Sequence, residues 1–489
     1  MRKKYDIIVI GSGIGGLVSA ALLVDSGKKV LIVEKEPKPG GYLTEFKNEG
    51  FAFDVSLHLL NGCAEGQYVY NLFKRCGIID EIKFVKPKHL YRSIFPDFDL
   101  KIPQTDLAGY KRLLVENFPG SQNGIEGIFR EAGEVFDAIA NHNSSAPITP
   151  LLSMYLKSNA EDVINKHIKD NKLKAVLYQL WMYFGLPPSM LRAVDFWYPW
   201  FDYSKNGGYY VERSSFAIVK ALVNYIESKG GEFLFNRNIG RIVIENNLCK
   251  KVQFGRDEIF CDVVISNADI TRTVHELIGS DQFPVRSMQR FKRIEPSISA
   301  FDIFLGLNVD LRRSYPDDYE IFVNPSYNIE EQYRDSILNR ANKAPFAIAI
   351  YSNVNKFAAP ERKSVVTITM LSGYDYWRSS SSKQEYQDKK QRIADILLNR
   401  ASKIIPEIKD HVQKKVVSTP VTFERYSNNL RGAIYGYTHT TGGRLEVRPN
   451  EIKGIDNLYF ASAWARQGSG VAKVLRSADE VARKILSKK

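Results

Sequence analysis

Cysteine is scarce in this chain. Only four occur among 489 residues, Cys63, Cys76, Cys249 and Cys261, and no two form a CxxC pair. That scatter suggests neither a disulfide framework nor a zinc site, and it makes a reducing, cytoplasmic setting the expectation. The seven histidines show no HExxH or comparable ligand spacing, so no metal site is predicted. No stretch of 18 or more residues reads cleanly as a membrane span, so any membrane contact is expected to be peripheral. The basic residues form no block of five or six and accompany no nucleic-acid motif, so no nucleic-acid partner is expected. Internal repeats and low-complexity tracts are missing, and the short "RSSSSK" at Arg378–Lys383 reads as an exposed loop.

What is present is an ordinary globular balance, 44% hydrophobic and 25% charged residues. The length is more than one core usually serves, which predicts two or three domains. A net charge of +13 fits a solvated lysine-rich surface, an anionic membrane surface or an acidic substrate. The start, "MRKKYDIIVIGSGIGG", imitates a signal peptide, but Asp6 and the glycines interrupt the apolar run.

That start has another reading. Ile7–Ile10 is a β-branched run suited to a buried parallel strand, and Gly11-Ser12-Gly13-Ile14-Gly15-Gly16 follows at once. Leu17 to Asp25 then reads as a helix that Gly27 can end. Lys29–Val33 is a second strand closed by Glu34. In such a unit Gly11 makes the tight turn, Gly13 admits a pyrophosphate to the backbone, and Gly16 lets the helix pack on the strand. The helix N-terminus offers N–H groups and partial positive charge to phosphates. Glu34, 23 positions after Gly11, can accept from a ribose diol and would repel a 2′-phosphate. The unit predicts dinucleotide binding without separating NAD from FAD.

The residues that follow resemble a known group. Gly40-Gly41 shortly after the acid resembles the glycine doublet of flavoproteins, and Asp54 and His58 in "FDVSLH" resemble the FD-x-G-x-H stretch of the phytoene desaturase, carotenoid isomerase and retinol saturase group, with Ser56 in place of a glycine. "SNAD" at Ser266–Asp269, "TPVTFERY" with "GAIYG" beyond it, and a closing strand, Gly468-Ser469-Gly470 and helix extend the resemblance to the end of the chain. Arg466-Gln467 and Ala472-Lys473 stand where relatives carry a proline and a further glycine. Asn267 or Asp269 is predicted to cap the helix after "SNAD".

The resemblance implies an α/β protein with a discontinuous Rossmann-type FAD-binding domain (1–85, 205–290 and 415–489) and an inserted α+β substrate domain with a mixed sheet (86–204 and 291–414). It implies FAD contacts at Gly11, Ser12, Gly13, Gly15, Gly16, Glu34, Lys35, Gly40, Gly41, Tyr42, Ile239, Asn267, Ala268, Gly468, Gly470 and Val471. It also implies an oxidoreductase that desaturates, saturates or isomerises C–C bonds of a long apolar polyene or isoprenoid-like substrate. A flavin amine oxidase and a non-catalytic prenyl or lipid escort on the same fold are the alternatives. A second GxGxxG is not evident, so the electron donor or acceptor is left among oxygen, a quinone and a nicotinamide. His58 is the titratable group that the resemblance puts nearest the flavin, as a catalytic candidate or as a hydrogen-bonded structural histidine. Tyr435, Tyr437 and Arg425 are weaker candidates. "LWMYFGLPPSMLRAVDFWYPWFDY" (Leu180–Tyr203) reads as plain core packing, as a substrate lining through Trp181, Phe184, Trp197 and Trp200 with Tyr435, or as a membrane-interface patch.

Overall fold

The computed structural model describes residues 4–140, 148–279, 281–282, 291, 294–440 and 450–488. Residue 290, the expected end of a flavin segment, lies outside them. Two large sheets organise the chain, as the expected α/β class requires.

The first sheet has eight strands. Lys4–Ile10 lies at its centre, parallel to Val30–Val33 on one side and to Asp257–Ser266 on the other. Glu232–Leu234 extends it in parallel beyond Val30–Val33. Arg241–Glu245 and Leu248–Phe254 form an antiparallel hairpin on the other flank. Near the C-terminus, Ile455–Phe460 pairs in parallel with the end of Asp257–Ser266, and Glu451–Ile452 pairs with it. The central strands are apolar on both faces because helices cover both. Val30–Val33 is buried at every position. The helices Ile14–Asp25 and Val471–Ser487 pack against each other and the sheet.

The opening helix begins at Ile14, three residues earlier than the expected Leu17. Gly15 and Gly16 are helical because their lack of a Cβ lets the first turn sit tightly on its neighbours. A Cβ on Gly16 would meet the Gly11 carbonyl at 2.3 Å.

The second sheet has seven strands, in the order Val412–Ser418, Ser299–Leu307, Ser364–Ser372, Phe346–Ile350, Glu320–Val323, His89–Ile94 and Asp99–Pro103. Its neighbours are antiparallel except Glu320–Val323 with His89–Ile94. The edge strand Val412–Ser418 spans the expected boundary at 414–415. Alternation along each strand gives the sheet two distinct faces. Phe301, Ile303, Leu305 and Ile321 face a core shared with Ile393 and Leu397 of the helix Lys383–Ala401. Phe304 and Phe322 belong to the larger core on the other side, with Phe51 and Phe53. Asp302 and Glu320 share strand parity with Phe304 and Phe322, so both carboxylates face the first sheet's side.

Helices between residues 107 and 206 form a third body. Trp200 meets Phe129 edge-on at 5.0 Å and Trp197 at 5.2 Å, and Trp197 donates to the Ala160 carbonyl at 3.1 Å. Among the described residues, no helix is long and apolar enough to cross a membrane.

The Phe51 ring lies so close to the second sheet that a Cβ on Gly306 would meet it at 2.7 Å. Gly306→Val is therefore expected to destabilise the protein by about 1–3 kcal/mol through overpacking. Differential scanning calorimetry measures this, and an unchanged unfolding midpoint would contradict the close packing.

Candidate flavin-binding and active site

The glycine turn follows the strand Lys4–Ile10, and Gly11 has φ +90°, a conformation open to glycine. The helix Ile14–Asp25 opens on Gly13 with no side-chain cap, so its first N–H groups are left for an anion. The turn is enclosed by distant parts of the chain. A Cβ on Gly13 would meet Asn267 Oδ1 at 2.4 Å, and one on Gly15 would meet the Ala461 carbonyl at 2.0 Å. Asn267 Nδ2 donates to that same carbonyl at 2.5 Å. Gly40 N donates to the Ser12 carbonyl at 3.0 Å, bringing the glycine doublet beside the turn. Gly41 has φ +59°, and a Cβ added to it would meet the Gly13 Cα at 3.2 Å. Bare backbone and an uncapped helix end suit a dinucleotide pyrophosphate, so the residues present fit FAD.

Glu34 is buried at the end of its strand. Its Oε2 accepts from Ser12 N at 2.8 Å and Ser12 Oγ at 2.6 Å, and its Oε1 accepts from Glu36 N at 2.9 Å. Ser12 thus fixes the carboxylate beside the phosphate turn. Arg237 N donates to the Glu34 carbonyl, which places the buried Ile239 segment on the same side. Lys35 Nζ donates to the Arg425 carbonyl at 2.9 Å, and Tyr42 Oη donates to the Ala433 carbonyl at 3.1 Å. Asp269, not Asn267, caps the helix after "SNAD", accepting from Thr271 N and Arg272 N, and its other oxygen accepts from Leu430 N at 2.8 Å. Ala268 lies half-buried between them, its carbonyl accepting from Ser462 Oγ at 3.3 Å. The C-terminal helix begins at Val471 after Gly468 (φ +86°) and Gly470 (φ +92°), again with no side-chain cap.

Where the sequence departs from the family pattern, the structure supplies partners. Ser56 Oγ donates to the Tyr42 carbonyl at 2.8 Å, tying its loop to the glycine doublet. Lys473 Nζ donates to Asp195 Oδ1 at 2.7 Å, joining the C-terminal helix to the helical body. Arg192 reaches the other Asp195 oxygen at 2.6 Å. Burial works against the Asp195 charge, yet Lys473, His439 and Arg192 together hold its carboxyl well below the usual carboxylate range.

The loop Asp54–His58 lies between the two sheets. Asp54 accepts from Tyr210 Oη at 2.8 Å, Ser215 N at 2.7 Å, and the N–H groups of Ser56 and Leu57 at 3.2 Å each. Tyr351 Oη donates to the Leu57 carbonyl at 2.8 Å, and Tyr319 Oη to the His58 carbonyl at 2.6 Å. His58 Nδ1 lies 2.9 Å from Glu320 Oε2. The Glu320 side chain is wholly buried, while His58 retains 18% side-chain exposure. Burial is the largest single influence and pushes the imidazole pKa down, but the charge and hydrogen bond of Glu320 together with the Asp302 and Asp54 charges outweigh it, so the net shift is upward. Burial pushes the nearby Asp302 carboxyl up to about 6, opposed by Thr369 and His58. Tyr183 stands beside the His58 ring, centroids 6.0 Å apart. Its hydroxyl and Glu320 Oε1 are buried without a hydrogen-bond partner among the described residues.

Of the expected lining residues, Tyr435 donates to the Met182 carbonyl at 2.7 Å and its ring crowds Gly185. Phe184 packs on Phe196 and Trp181 on Tyr333. Trp197 and Trp200 lie in the aromatic core of the helical body. Tyr437 Oη donates to the Ala465 carbonyl at 2.9 Å. Sequence reasoning missed Glu320, Tyr183 and Asp195. The available signal for Glu320 was an acid set within the apolar run "YEIFV". No group of three or more metal-ligating side chains occurs among the described residues.

A strand–glycine turn–helix unit closed by an acid, with a second uncapped helix beside it, defines a flavoprotein of the two-sheet oxidoreductase architecture. The flavin containing amine oxidoreductase family matches residues 14–486, and the chain belongs to it as an FAD-dependent oxidoreductase. The chain is 26% identical to prolycopene isomerase 2 of an Oncidium hybrid cultivar, over 96% of this chain and 82% of that protein. It is 27% identical to the all-trans-retinol 13,14-reductase of Danio rerio, over 89% and 78%. It is 25% identical to a 4,4'-diapophytoene desaturase of Methylomonas sp, over 100% and 96%. The resemblance to the phytoene desaturase group is thereby borne out. Among solved structures, an oxidoreductase from Methanosarcina mazei superimposes with a TM-score of 0.66 at 16% identity, covering 98% of this chain and 100% of the other. A putrescine oxidase does so with 0.68 at 13% identity, each chain covered to 99%. These two establish the shared fold.

Because Glu34 is pinned beside the turn, Glu34→Ala is expected to weaken FAD retention by roughly tenfold or more. Flavin absorbance retained after gel filtration measures it, and unchanged affinity would remove Glu34 from the cofactor site.

Proposed function

We propose that the protein acts on a C–C bond of a long apolar polyene or isoprenoid-like chain, by desaturation, saturation or isomerisation. The observation that carries this reading is end-to-end similarity to relatives named for reactions of carotenoids and retinol. The surroundings of His58 agree with it: Tyr183, Tyr351 and Phe322 supply aromatic surface. Tyr435 and Phe184 extend that surface on the substrate side.

The flavin, when bound, supplies two-electron transfer to or from carbon. The chain's own residues bind, orient and shield. The turn Gly11–Gly16 and Glu34 hold the dinucleotide half, with Lys35, Gly40, Gly41, Tyr42 and Ile239 nearby. Asn267, Ala268, Gly468, Gly470 and Val471 close the opposite side. Packed aromatic surface keeps water from the reacting carbons. An uncapped helix end at Val471 favours negative charge beside it. Oxygen, a quinone and a nicotinamide remain the candidate electron partners. The positive net charge and the peripheral mode of contact suit an anionic bilayer surface as the source of so apolar a substrate.

The test is product analysis with flavin-loaded protein. Incubation with carotenoids and retinol, under reducing and oxidising conditions, is expected to change the polyene absorbance and yield a product resolved by chromatography. Turnover of primary amines with no change in any polyene would overturn the reading. A colourless protein that cannot be reconstituted with FAD would favour an escort instead.

A further inference from the structure

The first residue of the strand Glu320–Val323 and the residue before it both meet the loop Asp54–His58. Tyr319 Oη donates to the His58 backbone carbonyl at 2.6 Å, and Glu320 Oε2 lies 2.9 Å from His58 Nδ1. One contact fixes the backbone and the other fixes the ring. Nδ1 is taken by a carboxylate that water does not reach, whereas Nε2 has no hydrogen-bond partner among the described residues and belongs to a side chain that keeps 18% exposure. A buried acid on one ring nitrogen sets the tautomer and stabilises the imidazolium, and it leaves the other nitrogen to exchange a proton. Loop pinning alone does not require this, since Tyr319, Tyr351 and Asp54 already hold the loop without any ionisable pair at the ring.

We propose that Glu320 is a positioning residue that holds His58 as a protonated imidazolium whose Nε2–H faces the substrate side. The inference rests on the reading of this site as the place where a polyene meets the flavin. It adds the group that delivers or removes the proton accompanying electron transfer at carbon. In the saturating direction, the N–H bond at Nε2 breaks and its proton forms a C–H bond at one carbon of the double bond, while the adjacent carbon takes hydrogen together with its electron pair, as hydride, from reduced flavin. Solvent then reprotonates Nε2. In the desaturating direction the ring starts neutral at Nε2, takes the proton from one carbon as the adjacent C–H leaves as hydride to oxidised flavin, and ends as the imidazolium that Glu320 stabilises. Tyr183, whose buried hydroxyl lacks a partner, flanks the ring.

The ionisable groups facing His58 are Glu320 on its own strand, Asp302 on the strand Ser299–Leu307, Asp54 on the loop, and the phenols of Tyr183, Tyr319 and Tyr351. The acids favour the charged ring, and burial disfavours it. Removing the Glu320 charge leaves burial less opposed, so the imidazole should become neutral at lower pH.

The experiment needs no substrate. Histidine-labelled, FAD-loaded protein is titrated by NMR, with His58→Gln used to assign the His58 resonance. Wild type is expected to titrate above the ordinary histidine value of about 6.5. Glu320→Gln is expected to lower the midpoint by about one unit or more, and Glu320→Asp to restore part of the shift. Tyr319→Phe, which loosens the loop and leaves the charges alone, is expected to lower the thermal midpoint without moving the titration. A wild-type midpoint at or below the ordinary value overturns the proposal, even if neither Glu320 variant folds. An equal shift in Tyr319→Phe also overturns it, because packing would then set the value. Failure of polyene turnover leaves this titration intact, so the two readings fail separately.

Discussion

Everything at the proposed site depends on the Asp54 carboxylate. It gathers four donors from three places: its own loop, the Tyr210 hydroxyl and the Ser215 backbone. A buried carboxylate is tolerated only when its lone pairs are filled, and here the filling groups define the loop path. The loop path in turn sets where His58 stands against the second sheet. The Tyr319 and Glu320 contacts complete the seam between the dinucleotide half and the inserted sheet. Burial nonetheless lifts the Asp54 pKa, which shows that even four hydrogen bonds do not fully offset its desolvation.

The second sheet works through alternation. The centre of one face is apolar and packs on the helix Lys383–Ala401. The other interleaves Phe304 and Phe322 with two acids, Asp302 and Glu320. A sheet built this way presents aromatic surface and a small number of charges to the same space. That combination suits a long hydrocarbon whose chemistry requires one proton and little other polarity.

How much of this was legible in the sequence follows from range. The strand, glycine turn, helix and acid at the start lie within about thirty residues, and each glycine acts on near neighbours, so the pattern could be read directly. The start of the helix was placed late because glycine argues against helix until the carbonyls of Gly11 and Ala461 are seen pressed against it. Glu320 could not be linked to His58, since 262 residues separate them and only strand pairing brings them together. Lys473 and Asp195 pose the same problem, 278 residues apart. The tryptophans show a different limit. Composition reveals an aromatic stretch, but only packing distinguishes Trp197 and Trp200, enclosed by Phe129, Tyr110 and each other, from Tyr183 beside the histidine.

The enclosure of the glycine turn has a consequence for biosynthesis. The turn occupies residues 11–16, but its walls are Asn267 and Ala461. A ribosome releasing the chain from its N-terminus exposes the dinucleotide-binding unit well before the wall at Ala461. Until Ile455–Phe460 docks beside Asp257–Ser266, the cradle has an open side, and its apolar strands have an unpaired edge. The closed cradle therefore forms only once Ala461 has been made and docked, and any ligand bound within it stabilises that docked state over the open one.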